Sequence, residues 1–386
     1  MFTGLASGIE LWIHNARLVS PGFECEAGGL LIKDGRIVAC GENRPTGFSG
    51  REWDLDGRTV VPGFIDLHAH GADGSDVADA DVEAIRHIAR RKLEEGVTTW
   101  LPTTLTLPRE QLCRIAAAVA AYRDQPDFTR CPGLHVEGPF LSREKVGAQN
   151  PQWVRDPDRD ELEALRKICP VSILSLAPEL PGALELIRWA SAQGIVCSAA
   201  HTAASFAETT AAREVGLRHL THFGNAMTPL HHREIGVVGA GLMDDQLNLE
   251  LIADGIHLSP EMLKLVIHLV GVERLMLVTD SMAGSWLDRG EAMLGGLEVV
   301  LDGRVARLKE NGALAGSILK YHEGVRFLHA LLQKPWHTWV AMTSWNQARS
   351  LGWEGLGKLE PGFHADLAIL NDDFSVWKSL VGGEVR

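Results

Sequence analysis

The sequence contains no CxxC pair: its six cysteines, Cys25, Cys40, Cys113, Cys131, Cys169 and Cys197, stand far apart along 386 residues. That spacing argues against a zinc ribbon or a disulfide framework and fits reduced thiols in a cytosolic protein. No uninterrupted apolar run reaches about 18 residues, so no membrane span is expected. The opening stretch, MFTGLASGIELWIHNARL, lacks a basic segment followed by an apolar one. No signal peptide is therefore expected, and the expected location is the cytoplasm. Basic side chains are in deficit, 37 against 50 acidic, and the net charge is −13. Such a balance argues against a nucleic-acid or anionic-membrane surface. An anionic small substrate would need a local basic pocket. No fixed repeat or low-complexity tract is visible.

What is present is the composition of an ordinary globular protein, 45% hydrophobic and 23% charged. The length exceeds the roughly 100–200 residues of a single domain. Both ends read as β structure. Near the N-terminus, LWIHNARLVS is followed by GGLLIKDGRIVACG, with a hairpin signal at Asp34-Gly35. Near the C-terminus, ADLAILN precedes VWKSLVGGEVR, which turns at Gly382-Gly383. Residues 1–60 plus 355–386 are therefore expected to form a small β-sandwich domain, with residues 61–354 inserted into it. Inside the insert lie eight apolar runs: VVPGFIDLHAH, VTTWLPTTL, GLHVEGPF, SILSLAPE, IVCSAAHT, HLTHFGNAM, LELIADGIHL and LMLVTDSM. Helical patterning fills most of the intervals. In DADVEAIRHIARRKLEEG, for example, Val82, Ile85, Ile88, Ala89 and Leu93 share one face and Gly96 follows the end. The alternation predicts an α/β fold, a (β/α)8 TIM-type barrel. A doubly wound open sheet competes, but no GxGxxG follows the first strand.

The polar residues fall at the strand ends. Strand one closes on Asp66-Leu67-His68-Ala69-His70 and strand three on His135-Val136-Glu137. Strands five, six and eight close on His201, His222 and Asp280. Residues i and i+2 of a strand point the same way, so His68 and His70 present their imidazoles together. Each of these residues alone has a bland reading, as a hydrogen-bonded histidine or carboxylate of the barrel. Six of them at the ends of five strands outweigh it. Nitrogen and oxygen donors without thiolates suit Zn²⁺ or Fe²⁺, one or two ions per subunit.

With these residues in place, the chain resembles the amidohydrolase superfamily and, within it, the N-acetylglucosamine-6-phosphate deacetylase family. The strings that carry the resemblance are PGFIDLHAHG (62–71), GLHVEGPFL (133–141), LAPE (176–179), AAHTAA (199–204), THFGNAM (221–227), REIG (233–236), ADGIHL (253–258), VTDSM (278–282) and LAGS (314–317). HADLAIL matches the return to the small domain. The resemblance implies that Glu137, His201 and His222 hold the principal metal. It also implies that His68 and His70 help hold a second one near Glu137 and Asp280. Asp280 matches the catalytic carboxylate. Asn225, Ala226, Arg233 and His257 match positions that contact the sugar, the phosphate or the reacting carbonyl, and Ala148, Gln149 and Leu314 are assigned to substrate binding with them. A homodimer is implied, with one substrate contact supplied by the neighbouring subunit.

The implied reaction is hydrolysis of the N-acetyl amide of an amino-sugar phosphate, N-acetylglucosamine 6-phosphate, to glucosamine 6-phosphate and acetate. The nucleophile would be a water whose pKa the metal lowers to about 7. Asp280 would take the proton and pass it to the leaving amine. His257 would stabilise the oxyanion, a contribution of about 3–4 kcal/mol. Read alone, His257 is a surface histidine ahead of a helix start at Ser259-Pro260. Arg233 offers a planar fork to phosphate, and read alone it is a loop arginine beside Glu234. Several positions depart from the pattern. Gly147-Ala148-Gln149 stands where Gly-Ala-His is usual, Ile235 where Pro is common, and Lys320, Tyr321 and His322 where small or apolar residues are common. The metal residues are kept and the sugar-facing shell is altered. Another N-acyl substrate, such as N-acetylgalactosamine 6-phosphate, therefore stays open, and more distantly a non-catalytic scaffold. His231-His232 reads as an exposed loop pair, and His87, His268 and His329 read as helical residues that are not ligands.

Overall fold

A computed structural model of the chain describes residues 10–287 and 289–386. The first strands are β1 (Glu10–Ser20), β2 (Phe23–Lys33), β3 (Arg36–Gly41), β4 (Arg51–Asp54) and β5 (Thr59–Pro62). Next come β6 (Phe64–Ala69) and a short hairpin of β7 (Gly71–Ala72) and β8 (Ser75–Asp76). The strands β9 (Val97–Pro102), β10 (Leu134–Glu137), β11 (Val171–Leu176), β12 (Val196–Ala199), β13 (Leu217–Leu220), β14 (Asn248–Ile252) and β15 (Leu275–Val278) follow. The chain continues through β16 (Gly290–Leu294), β17 (Leu297–Leu301) and β18 (Ala306–Leu308). It returns through β19 (Leu367–Leu370), β20 (Val376–Val381) and β21 (Glu384–Val385).

All eight apolar runs of the insert are strands: β6, β9 and β10 to β15. Between successive members lie α1 (Val82–Glu94), α2 (Arg109–Asp124), α3 (Arg159–Ile168), α4 (Ala183–Ala192), α5 (Phe206–Glu214), α6 (Gly236–Met243) and α7 (Pro260–Val270). Strands β10 to β15 form one curled parallel sheet in sequence order, and β6 pairs with β9, also in parallel. Isolated parallel bridges link Thr103 to His135 on one side and Ala69 to Ser281 on the other. The first helix shows why the local pattern works. Asp81 accepts a hydrogen bond from the Glu83 N–H as N-cap, and Ile85, Ile88, Ala89 and Leu93 are buried against the strands. Each such large aliphatic side chain contributes about 1.5–3 kcal/mol when fully buried. Val82, on the same face, is half-buried and packs on that core. Lys92 joins the buried stripe, which the apolar pattern did not foresee.

The two chain ends share one hydrogen-bonded sheet, ordered β21-β20-β19-β5-β1-β2-β3, with β4 added alongside β1. Its core, including Ile13, Leu18, Leu30, Ile37, Val60, Leu367 and Leu380, is a cluster separate from that of the insert. Arg130 ties the two regions together, donating to both carboxylate oxygens of Asp366 at 2.6 and 3.0 Å. The antiparallel sheet β16-β17-β18 was not foreseen among the eight runs. Its first turn, Gly295-Gly296, has φ of 55° and 85°, a two-residue hairpin geometry that glycine adopts without strain. Among the described residues, no helix is long and apolar enough to cross a membrane.

Candidate active site

The side chains singled out at the strand ends meet in one buried cluster. His68 and His70 leave β6 on the same side, and their Nε2 atoms lie 3.1 Å apart. Glu137, from the end of β10, reaches between the histidines. Its Oε1 is 3.0 Å from His222 Nε2, 3.4 Å from His201 Nε2 and 3.6 Å from His68 Nε2, while its Oε2 is 3.4 Å from His70 Nε2. Asp280 follows β15, with Oδ1 3.2 Å from His70 Nε2 and 3.5 Å from His68 Nε2. Two triads have donor atoms within 4.8 Å of one another: His68, His70 and Glu137, and Glu137, His201 and His222. Asp280 stands beside the first triad and belongs to neither.

Backbone geometry aims several of these groups. His201, His222, Ala226 and Asp280 have φ of 44°, 35°, 50° and 51°, left-handed values that non-glycine residues rarely adopt. Such conformations cost on the order of 1–3 kcal/mol each and cluster at functional sites. Gly147 passes so close that a Cβ there would lie 3.1 Å from the His201 ring. Hydrogen bonds then fix the ring tautomers. His201 Nδ1 donates to the Lys145 carbonyl at 2.9 Å and His70 Nδ1 to the Thr103 carbonyl at 3.1 Å. A carbonyl can only accept, so the Nε2 lone pairs face the cluster centre.

The electrostatics favour a cation in that centre. Burial pushes the Glu137 carboxyl up, but His68, His201 and His222 outweigh it and hold it well below the usual carboxylate range. Burial likewise raises Asp280, and His68 and His70 override it, leaving the carboxyl at about 2. His68 is opposed by burial and raised by Asp280 and Glu137. Facing Nε2 atoms at 3.1 and 3.2 Å repel unless a proton or a cation lies between them. The nitrogen and oxygen donors and their fixed tautomers fit a divalent ion such as Zn²⁺ or Fe²⁺.

Beneath the cluster lies a polar layer that strand-end spacing does not point to. Glu250 on β14 is fully buried, with Oε2 3.5 Å from His68 Nδ1 and Oε1 3.7 Å from His219 Nδ1. His135 Nδ1 donates to the Leu67 carbonyl at 2.8 Å, and burial, aided by His68, lowers that imidazole to about 4. The i, i+2 rule applied to His68 and His70 also puts His135 on the side of Glu137. Glu250 was visible as a charge inside the apolar run LELIADG. Asp66 braces the first and last strands, its Oδ1 accepting from the His68 N–H at 3.3 Å and the Thr279 N–H at 3.1 Å.

A cavity of about 340 Å³ opens above the cluster. His70, Glu137, His201, His222 and Asp280 form its floor, and His68 lies below them. Of the expected substrate residues, Asn225, Ala226, His257, Ala148, Gln149 and Leu314 all line it. His257 is no surface residue: its side chain is 6% exposed, and Asp254 Oδ2 lies 2.6 Å from its Nδ1. Burial opposes its charge, yet Asp254, with help from Asp280, raises the imidazole above its ordinary value. Leu294, from the unforeseen hairpin, and Lys145 also line the cavity. Arg233 lies apart from this lining, on an exposed turn with its Nη1 2.7 Å from His232 Nε2. Lys320 sits 4.4 Å over the Trp286 ring, and the Tyr321 hydroxyl, with one proton to give, lies within 3.0–3.2 Å of the buried carbonyls of Ile65, Leu277 and Thr343. These two departures therefore serve packing.

Fold and site together define a hydrolase class. Residues 59–386 match the amidohydrolase family model, and the chain belongs to that family. Among its relatives is N-acetylglucosamine-6-phosphate deacetylase of Bacillus subtilis (strain 168), 34% identical over 384 residues and covering 97% of each chain. N-acetylgalactosamine-6-phosphate deacetylase of Escherichia coli O157:H7 is 36% identical over 361 residues, covering 92% of this chain and 94% of that one. A mutant N-acetyl-D-glucosamine-6-phosphate deacetylase of Mycobacterium smegmatis, solved with N-acetyl-D-glucosamine-6-phosphate, superposes with a TM-score of 0.91. It is 30% identical, with 98% of this chain and 99% of that chain covered.

Proposed function

We propose that this chain hydrolyses the N-acetyl amide of N-acetylglucosamine 6-phosphate, releasing glucosamine 6-phosphate and acetate. The carrying observation is the convergence of His68, His70, Glu137, His201, His222 and Asp280 under one cavity, in a chain similar to such deacetylases along nearly its whole length. Glu137, His201 and His222 would hold the principal ion, Zn²⁺ or Fe²⁺, and His68, His70 and Glu137 a second. A bound divalent ion supplies Lewis acidity and brings the pKa of water down toward about 7. Asp280, held ionised by His68 and His70, accepts the water proton on a carboxylate oxygen and returns it to the amine nitrogen as the C–N bond breaks. His257, whose imidazole Asp254 raises above its ordinary value, would donate to the carbonyl oxygen as negative charge develops there. Asn225, Ala226, Ala148 and Leu314 shape the sugar site.

Phosphate needs a cation. Among the described residues Lys145 brings an ammonium to the cavity wall, while the exposed position of Arg233 suits a contact across a homodimer interface to a neighbouring site. The wider reading is a (β/α)8 barrel over residues 61–354, closed through the bridges at His135 and Ser281. The small domain expected from residues 1–60 plus 355–386, of which residues 1–9 lie outside the described residues, is supported by the one sheet that joins both chain ends, and its sandwich form and a cytoplasmic location belong to the same proposal. A second reading, N-acetylgalactosamine 6-phosphate as substrate, is favoured by the E. coli relative.

The test is acetate release by metal-reconstituted protein from both sugar phosphates and from unphosphorylated N-acetylglucosamine. Turnover of N-acetylglucosamine 6-phosphate alone, lost in Asp280→Asn, supports the first reading. Preference for the galactosamine compound selects the second. No turnover of any of the three with a filled metal site rejects both.

A further inference from the structure

Gln149 is tied into the site more tightly than a sugar contact needs. Its side chain is almost fully buried, and both ends of its amide are engaged. Oε1 accepts from the Thr106 N–H at 2.7 Å, and Nε2 donates to Glu137 Oε2 at 2.6 Å. The amide cannot be turned over without loss. A backbone N–H must meet the oxygen, and an ionised carboxylate must meet the NH₂ group. The backbone repeats the restraint, with the Gln149 N–H donating to the Val146 carbonyl at 2.9 Å.

The consequence falls on Glu137, the one residue common to both triads. Its Oε1 faces His222, His201 and His68, and its Oε2 faces His70 and the Gln149 amide. A carboxylate serving two cations equally would offer one oxygen to each. Here a short charge-assisted hydrogen bond already draws on Oε2 and fixes its direction. We infer that Gln149 is a positioning residue that makes the two metal positions unequal. Glu137 serves the His201–His222 position through Oε1, and the His68–His70 position binds its ion more weakly. When that position is empty, His70 and His68 orient Asp280 through the contacts at 3.2 and 3.5 Å. The inference rests on the metal reading proposed above.

Metal uptake tests it without reference to turnover. Protein freed of metal by a chelator is dialysed against graded free Zn²⁺, and bound zinc per chain is counted. A parallel Co²⁺ titration is followed by visible absorption. The expected wild-type result is one tight equivalent and a second that fills only at free metal about 10- to 100-fold higher, the ratio that a hydrogen bond to a charged group competing for the same oxygen is worth. Gln149→Met removes the donor without adding charge and should close most of that gap while the tight equivalent holds. Gln149→Leu likewise removes the donor without adding charge, so it decides the matter should the methionine variant fail to fold. It too should tighten the second equivalent, by about tenfold or more. Two equally tight equivalents in the wild type, or an unchanged gap in a folded variant, would overturn the inference and leave the metal reading standing. No metal uptake by the wild type removes both.

Discussion

Two buried ionic clusters meet on strand β6, and they are built to opposite ends. In the lower one, the Lys92 ammonium is fully buried and has three partners for its three protons. They are Asp66 and Glu95 at 3.2 Å and Thr279 at 3.1 Å. Glu95 is completed by the Trp286 indole at 2.8 Å and the Tyr321 N–H at 3.0 Å. In the upper one, His70, Glu137, His201, His222 and Asp280 crowd their lone pairs together below a cavity. Burial acts on both. In the lower cluster, Glu95 and Asp66 keep the Lys92 ammonium charged against it. In the upper, the site's own balance leaves carboxylates and facing imidazoles that call for a cation. A buried charge set that satisfies itself supports the fold. One that does not is a site.

Removing the base should disable the upper cluster and leave the lower one intact. Asp280→Asn should lower kcat by about 10²–10⁴, the usual contribution of a general acid–base group, with a thermal midpoint close to wild type. Steady-state rates beside a melting curve decide it, and a large drop in the midpoint would make Asp280 a structural residue instead. Lys92→Met should do the reverse. It strands Asp66 and Glu95, so about 3–5 kcal/mol of stability should be lost in urea unfolding. An unaltered midpoint would show that the lower cluster does not carry the fold.

Glu250→Gln probes the layer that orients the ligands. Metal affinity at the His68–His70 position should fall about tenfold, read by zinc dialysis. The smallest expected effect concerns His257. Its raised imidazole contributes stability that is complete below about pH 6.5, the unfolded value, and is lost as pH rises through the folded one. The alkaline limb of kcat against pH should lie above pH 6.5 and move to lower pH in Asp254→Asn. A limb that stays in place would take His257 out of its assigned role.

Much of this was legible before the structure. A strand has a period of two and an end, so His68, His70, Glu137, His201, His222 and Asp280 could be assigned to one rim from spacing and chain order. Less local facts were out of reach. Arg233 has the chemistry of a phosphate partner, but only the course of its turn puts it outside the cavity. Lys320 and Tyr321 looked like changes to the substrate shell because they follow LAGS, and they pack against Trp286 and buried carbonyls instead. His135 and Glu250 carry the right residue types, yet nothing in a linear reading says that two strands distant in sequence point at the same imidazole.

The alternation of strand and helix, the polar residues at the strand ends and the class of chemistry could be drawn from the sequence. Each of these follows from local periodicity and from side chains that have few alternative uses when buried. The tertiary structure alone decided which oxygen of Glu137 faces which histidine, and that the Gln149 amide turns toward a carboxylate instead of a sugar. It also decided that a hairpin after β15 supplies a wall of the cavity. Those outcomes depend on contacts between residues tens to hundreds of positions apart, set by how strands and loops come together in space. No pattern along the chain records that.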